Sequence, residues 1–276
     1  MTKPQQTTPG RDIEFSGVGV TFHSGDRDVV AVTDVTQHIP DRTFVSIVGP
    51  SGCGKSTLLS VVAGLQRPTT GEVRIGGEPV RGPNRQVGLV FQEDSTLPWR
   101  TVTDNVRFAL QMAGVSRAEQ RDRAADAIEL VGLSGFEQAF PHALSGGMRQ
   151  RVALARTLAA QPSVVLMDEP FAALDQQTRL LLGGEVVRIW SQTHQTVLFI
   201  THDISEAILL SQQVWVMSYR PGTIIDVIDV DLPDDRDPGI VSTPAFNALQ
   251  NRVWESLRAE SMRGFAQETG SGGVGR

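Results

Sequence analysis

The chain has 276 residues, of which 25 are Lys or Arg and 31 are Asp or Glu, a formal net charge of −6. That balance argues against a partner held by bulk positive charge, as nucleic-acid binding by counterion release requires; the single cysteine, Cys53, excludes a disulfide framework and a cysteine-based zinc site. No apolar run approaches the roughly 18 residues that span a bilayer, and the first residues, Met1-Thr2-Lys3-Pro4-Gln5-Gln6, lack the apolar core of a signal peptide, so a soluble intracellular chain is expected.

Residues 1–10 are polar, hold two prolines and are expected to be disordered. Beyond them the runs Phe44–Val48, Val87–Phe91, Val164–Met167, Val197–Ile200 and Val214–Met217 are apolar without polar alternation. Short runs of that kind predict strands buried on both faces, the pattern of a parallel sheet. Helical stretches separate several of them, so the class is α/β. No such run occurs over about 97–160, where an inserted helical subdomain is expected. There Val102, Val106, Ala109 and Leu110 recur at helical spacing, and Ser116-Arg117-Ala118-Glu119 is a capping box. Met148, Val152, Ala155 and Ala159 form one apolar stripe that Pro162 ends. The pair Gly183-Gly184 interrupts a helical stretch, at about 0.8–1.0 kcal/mol per glycine relative to alanine, and has no functional reading at this level. After the polar stretch Pro233–Pro238, Thr243-Pro244 starts a last helix with Phe246, Leu249, Val253 and Leu257 on one face. This predicts a helical appendage over 236–268 and a disordered, glycine-rich tail over 269–276.

Three motifs carry chemistry. Gly49-Pro50-Ser51-Gly52-Cys53-Gly54-Lys55-Ser56-Thr57 fits the phosphate-binding pattern G-x-x-x-x-G-K-S/T in full, with a buried-strand run ahead and a helix closed by Gly64 behind. Its glycines let backbone N–H groups turn inward around a polyphosphate, and the helix N-terminus lays partial positive charge beneath it. Lys55 is placed to reach the β- and γ-phosphates and Ser56 to ligate Mg2+; Cys53 reads as a small filler contributing its amide. The run Ser163–Met167 ends in Asp168-Glu169. A carboxylate at a buried strand end is costly without a cation, so Asp168 suits Mg2+ and Glu169 suits a general base for water; taken alone, the pair fits an ordinary solvated loop start as well. In Leu144-Ser145-Gly146-Gly147-Met148-Arg149-Gln150-Arg151, Ser145 stands at a helix N-cap and two glycines leave the first-turn amides exposed. That is a second phosphate-binding helix terminus, or a capped helix with a flexible entrance.

With these motifs in this order the chain resembles the ATP-binding cassette (ABC) ATPases over roughly residues 11–230. The resemblance implies a P-loop NTPase (RecA-like) core with parallel strands, an antiparallel β region near the N-terminus and the inserted helical subdomain, the cassette covering 11–235. In its terms Gln92 matches the Q-loop glutamine, Ala173-Leu174-Asp175 the D-loop, and His202 in Ile200-Thr201-His202-Asp203 the switch histidine that senses the γ-phosphate. Phe22 matches the aromatic that stacks on adenine, with core packing as its alternative. The implied cofactors are ATP and Mg2+. ATP would be held by Phe22, Gly49 through Thr57 (Gly49, Pro50, Ser51, Gly52, Cys53, Gly54, Lys55, Ser56, Thr57), Gln92, His202 and, from the signature, Ser145, Gly146 and Gly147. Mg2+ would be held by Ser56, Gln92 and Asp168, and the implied catalytic residues are Glu169, His202, Gln92 and Lys55. In this family two subunits pair head to tail and the signature of one closes on the ATP of the other, so a second copy is an implied partner.

Leu97–Val106, Met148–Arg151, Asp168–Asp175 and Arg220-Pro221-Gly222 are similar to the nitrate/sulfonate/taurine branch of ABC importers. The chain has one cassette and no sustained heptads, so the resemblance implies a motor subunit that hydrolyses ATP to ADP and phosphate to drive uptake of a small solute, an anion such as nitrate, a sulfonate or taurine. The implied partners are a transmembrane permease subunit and, indirectly, a solute-binding protein, with no nucleic acid; the implied location is the cytoplasmic face of the membrane. Pro98-Trp99 reads either as an aromatic anchor for a permease helix or as a cover for the local core. The alternatives are a soluble ABC ATPase acting on nucleic acid or ribosomes, and an importer for a polyamine, sugar or thiamine precursor. Ser211-Gln212-Gln213 departs from the branch, which would have a more charged pair there.

Overall fold

The computed structural model describes residues 11–270 apart from Asp26, Glu93, Asp94, Ala173, His194, Asp234, Asp235 and Asp237. The stretch 1–10 and residues 271–276 of the tail expected over 269–276 lie outside the described residues, while Thr269 and Gly270, expected in that tail, belong to the last helix. In chain order the strands are β1 (Ile13–Ser24), β2 (Arg27–Ile39), β3 (Phe44–Val48), β4 (Thr70–Ile75), β5 (Glu78–Pro79), β6 (Val87–Val90), β7 (Val164–Asp168), β8 (Thr196–Ile200), β9 (Gln213–Met217) and β10 (Ile224–Asp229). The α-helices are α1 (Lys55–Val62), α2 (Val102–Met112), α3 (Arg117–Leu130), α4 (Gly146–Ala159), α5 (Gln176–Thr193), α6 (Ile204–Leu210) and α7 (Pro244–Gly270).

The apolar runs become the central sheet, in the order β10-β9-β3-β8-β7-β6. Strands β9, β3, β8, β7 and β6 are mutually parallel, and β10 returns antiparallel along β9. β3 and β8 are buried at every position, which is why neither alternates in sequence. The run at Val87 ends one residue early, and Phe91 is exposed. A second sheet, antiparallel and ordered β2-β1-β4-β5, lies beside the first. Leu58, Leu59, Val61 and Val62 of α1 pack in one cluster with Ile47, Leu166 and Ile200 of the central sheet and Phe15, Val18 and Val35 of the antiparallel one. The two sheets and α1 therefore share a core, and the loop leading into α1 is gripped from both sides.

The insertion holds α2, α3 and α4, whose Val106, Leu110, Ile128, Val152 and Ala155 join Phe44, Val165 and Phe199 in a second core. Ser116 and Ser145 cap α3 and α4 as the sequence predicts, accepting from the backbone N–H groups of Glu119 and Met148, and Thr101 caps α2 in the same way through Asp104 N. A third core joins Phe246, Val253 and Leu257 of α7 to Ala207, Ile208 and Leu209 of α6 and Val214 and Val216 of β9. Arg236, in the polar stretch ahead of α7, is buried and its Nη1 donates to the carbonyls of Ile208, Leu209 and Ser211. It satisfies acceptors that the end of α6 leaves unpaired. Gly183 also has a packing account: a Cβ there would lie 3.3 Å from Cδ2 of Leu209, so the glycine lets α5 lie close against α6.

Candidate functional site

The loop between β3 and α1 is built by two glycines in the left-handed region, Gly52 at φ 71° and Gly54 at φ 107°. A Cβ on Gly54 would meet the Ala31 carbonyl oxygen at 2.8 Å, so only glycine fits between the loop and β2. Lys55 is buried, and its Nζ donates to the carbonyls of Gly49 (2.9 Å) and Pro50 (3.0 Å). The ammonium is thereby held along the inner rim of the loop. Cys53 is buried behind it, and burial pushes its thiol above the ordinary value; its amide, expected among the phosphate donors, donates to the Pro50 carbonyl at 3.3 Å. Phe22, Ser51, Gly52, Gly54, Lys55, Ser56, Thr57, Gln92, Glu169 and Arg220 line one open cleft in front of the loop. Phe22 is 42% exposed, so it is not a core residue, and its ring is free to cover a flat ligand.

At the end of β7, Asp168 Oδ1 accepts from Ser56 Oγ at 3.0 Å. Burial is the largest influence on this carboxyl and lifts it above the usual aspartate value, while the Ser56 hydrogen bond pulls the other way. Glu169 follows with φ 43°, a left-handed conformation costly for a side chain that is not glycine. Its N–H donates to the Ile200 carbonyl at 2.9 Å, and its Oε2 lies 2.9 Å from Nδ1 of His202. An ionised carboxylate only accepts, so with Glu169 ionised Nδ1 carries the proton. Nε2 of the half-exposed ring then stays available for a further partner.

Ser145, Gly146 and Gly147 are not brought to this cleft. They open α4 elsewhere on the same chain, where a Cβ on Gly146 would face Leu174 and one on Gly147 would face Thr178. The segment matching the D-loop is described at Leu174 and Asp175, Ala173 lying outside the described residues. It is tied to the loop carrying His202 through a residue the sequence reading missed. Arg179 of α5 donates from Nη2 to the Leu174 carbonyl (3.0 Å) and from Nη1 to Asp203 Oδ2 (3.1 Å), and its Nε lies 3.1 Å from Glu206 Oε1. Asp203 caps α6 through Ser205 N and Glu206 N, and Thr201 donates to Glu206.

A segment that follows the cleft wall is equally well held. Asn105, buried in α2, accepts from Leu97 N and donates to the carbonyls of Leu97, Arg100 and Thr101. The bend that results turns Trp99 outward, 71% exposed, so it does not cover the local core.

The family model for ABC transporters matches residues 32–172. A taurine import ATP-binding protein of Rhizobium johnstonii is 50% identical over 248 residues, covering 87% of this chain and 94% of its own. The chain belongs to the ABC transporter family. A nitrate import ATP-binding protein of Synechocystis sp. is 42% identical over 259 residues, 94% of either chain. Among solved structures the ABC cassette resembles the ATP-binding cassette MJ0796, described as a dimer in a post-hydrolysis state bound to ADP and Pi. The TM-score is 0.70 at 31% identity, over 80% of this chain and all of that one. As a member of the family the chain is an ATP-binding ATPase of α/β fold. Among the described residues no helix of this ABC ATPase is long and apolar enough to cross a membrane.

Proposed function

We propose that this cassette is the motor subunit of an importer, working as a head-to-tail pair of copies beneath a transmembrane permease on the cytoplasmic face of the membrane. The observation that carries the reading is the separation of two half-sites: the loop, Asp168, Glu169 and His202 meet at one cleft, while the capped start of α4 stands away from it. Each copy then holds ATP on Phe22, Gly49–Thr57 and Gln92 and offers Ser145, Gly146 and Gly147 to the ATP of the other. The cassette would comprise 11–235, with 97–160 as its helical subdomain, and 236–268 as a helical addition. The solute in this reading is a small anion such as nitrate, a sulfonate or taurine, supported by the printed functions of the relatives. A solute-binding protein would engage only through the permease. The exposed Trp99, on a bend fixed by Asn105, supplies an aromatic anchor for a permease helix.

Mg2+ fits the residues present. Ser56 and Asp168 meet at the mouth of the loop, and the raised carboxyl of Asp168 is that of a partly buried acid short of a cation. Among the described residues no three His, Cys, Asp or Glu side chains cluster as a metal cage. A magnesium site built from Ser56, Asp168 and Gln92 suits that, because Mg2+ keeps waters and takes phosphate oxygens. When bound, the ion neutralises charge on the phosphates. Lys55 does the same from the loop, Glu169 orients and deprotonates the attacking water, and His202 holds the γ-phosphate geometry. Replacing Lys55 with Ala is expected to raise the Kd for ATP at least tenfold, roughly the loss of one charge-assisted contact, measured by calorimetry on the full chain. Unchanged affinity would remove Lys55 from phosphate binding. For the larger assembly, the cassette is expected to co-purify from its native cells with a polytopic membrane protein; recovery with ribosomes or nucleic acid would overturn the importer reading.

A further inference from the structure

The turn 218–223 joins β9 to β10, and it lies directly against the phosphate-binding loop. A Cβ on Gly222 would fall 2.0 Å from the Cys53 carbonyl oxygen. Gly222 N donates to the Ala31 carbonyl and its own carbonyl accepts from Thr33 N, both at 2.9 Å, which laces the turn to β2 as well. Within this turn Arg220 donates from Nε to the Gly52 carbonyl, and its guanidinium overlies Gly52, where a Cβ would sit 2.9 Å from Nη2. Arg220 is exposed and lines the cleft beside Ser51, Lys55 and Glu169. Among the described residues no carboxylate pairs with it. The turn is held from behind by α7: Glu260, only 6% exposed, accepts from Tyr219 N at 2.9 Å and from Arg263 Nη1 at 2.7 Å.

We propose that Arg220 is a nucleotide-binding residue, a second cation beside Lys55 whose guanidinium meets the phosphates of ATP, and that Glu260 positions it. The inference rests on the reading of the loop as the nucleotide site. Its chemistry is that of a guanidinium with one edge spent on a backbone carbonyl, which leaves Nη donors in a fixed plane for an anion. It also gives the last helix a part in the reaction, since Glu260 reaches the cleft through one residue of backbone.

Calorimetry and steady-state kinetics on the full chain test this with ATP as the probe. Arg220→Gln is expected to raise both Kd and KM for ATP about tenfold, as removal of one charge-assisted contact does. It should also flatten the dependence of log Kd on log salt, with a much smaller change in kcat. Arg220→Lys should recover part of the affinity. Glu260→Ala is expected to raise KM severalfold, and Glu260→Gln, which keeps an acceptor for Tyr219 N, to restore it. Wild-type Kd and salt slope in Arg220→Gln would overturn the proposal, as would a fall in kcat and thermal stability with KM unchanged, the mark of a purely structural clamp. Lys55→Ala measured alongside separates the two levels. If it weakens ATP binding and Arg220→Gln does not, this inference alone fails; if neither does, the nucleotide-site reading fails with it.

Discussion

Replacing Glu169 with Gln is expected to lower steady-state ATP turnover by about 10²–10⁴-fold, the range a positioned general base contributes, while ATP still binds. The geometry favours a clean loss of chemistry. Glu169 owes its place to backbone, through a left-handed φ of 43° and a hydrogen bond to the Ile200 carbonyl, and neither depends on its side-chain charge. Glutamine has the same shape, and its amide oxygen can accept from Nδ1–H of His202 as the carboxylate does. The ring therefore keeps a partner 2.9 Å away, but nothing at position 169 can take a proton from water. With binding intact and hydrolysis blocked, the ATP-bound pair should accumulate, read as a shift to dimer on size exclusion with ATP and not with ADP. Phosphate release at the normal rate in this variant would take the base role from Glu169.

Much of this site was legible in the sequence because its parts are contiguous. The loop Gly49–Thr57 is one segment between a buried strand and a helix, and both its conformation and its neighbours follow from residue types at fixed offsets. The Ser116 and Ser145 caps are equally local, each side chain closing on a backbone N–H three residues along. What composition misjudged was whatever depends on a distant element. Arg236 sits in an acidic, proline-containing stretch that reads as solvated, yet it is buried because the end of α6 presents carbonyls to it. The last helix shares a core with α6 and β9, which a one-sided apolar stripe does not disclose by itself. Gly183 reads in sequence only as a helix defect, because Leu209, the side chain it faces, belongs to a different helix. Phe22 and Trp99 each carried two readings in sequence, and exposure decided against core packing for both.

Arg179 is the clearest case of a residue without a local signal, and its removal is expected to have the largest effect on stability. Arg179→Met should destabilise the cassette by about 3–5 kcal/mol at neutral pH, the cost of leaving a buried charge without its partner. The stranded group is Glu206, whose carboxyl is raised above the ordinary glutamate value by burial first, with a further push from Asp203; Thr201, Arg179 and His202 act against that rise. Losing the guanidinium 3.1 Å away removes one of those opposing influences, so the folded-state value climbs further. A carboxyl raised on folding contributes stability that is complete below its unfolded value and lost as pH rises through its folded one. The variant's deficit is therefore expected to be greatest at neutral and alkaline pH, and to shrink on acidification as Glu206 takes up a proton and no longer needs a cation. Asp203 loses a partner too, but its Oδ1 still accepts from Ser205 N and Glu206 N, so it adds less to the pH dependence. Urea unfolding of both proteins across this range gives the measurement, and Glu206→Gln introduced into Arg179→Met should remove the pH dependence and recover part of the loss. A deficit constant with pH would mean that the lost packing of the Arg179 stem, and not the unpaired Glu206, is what destabilises the variant.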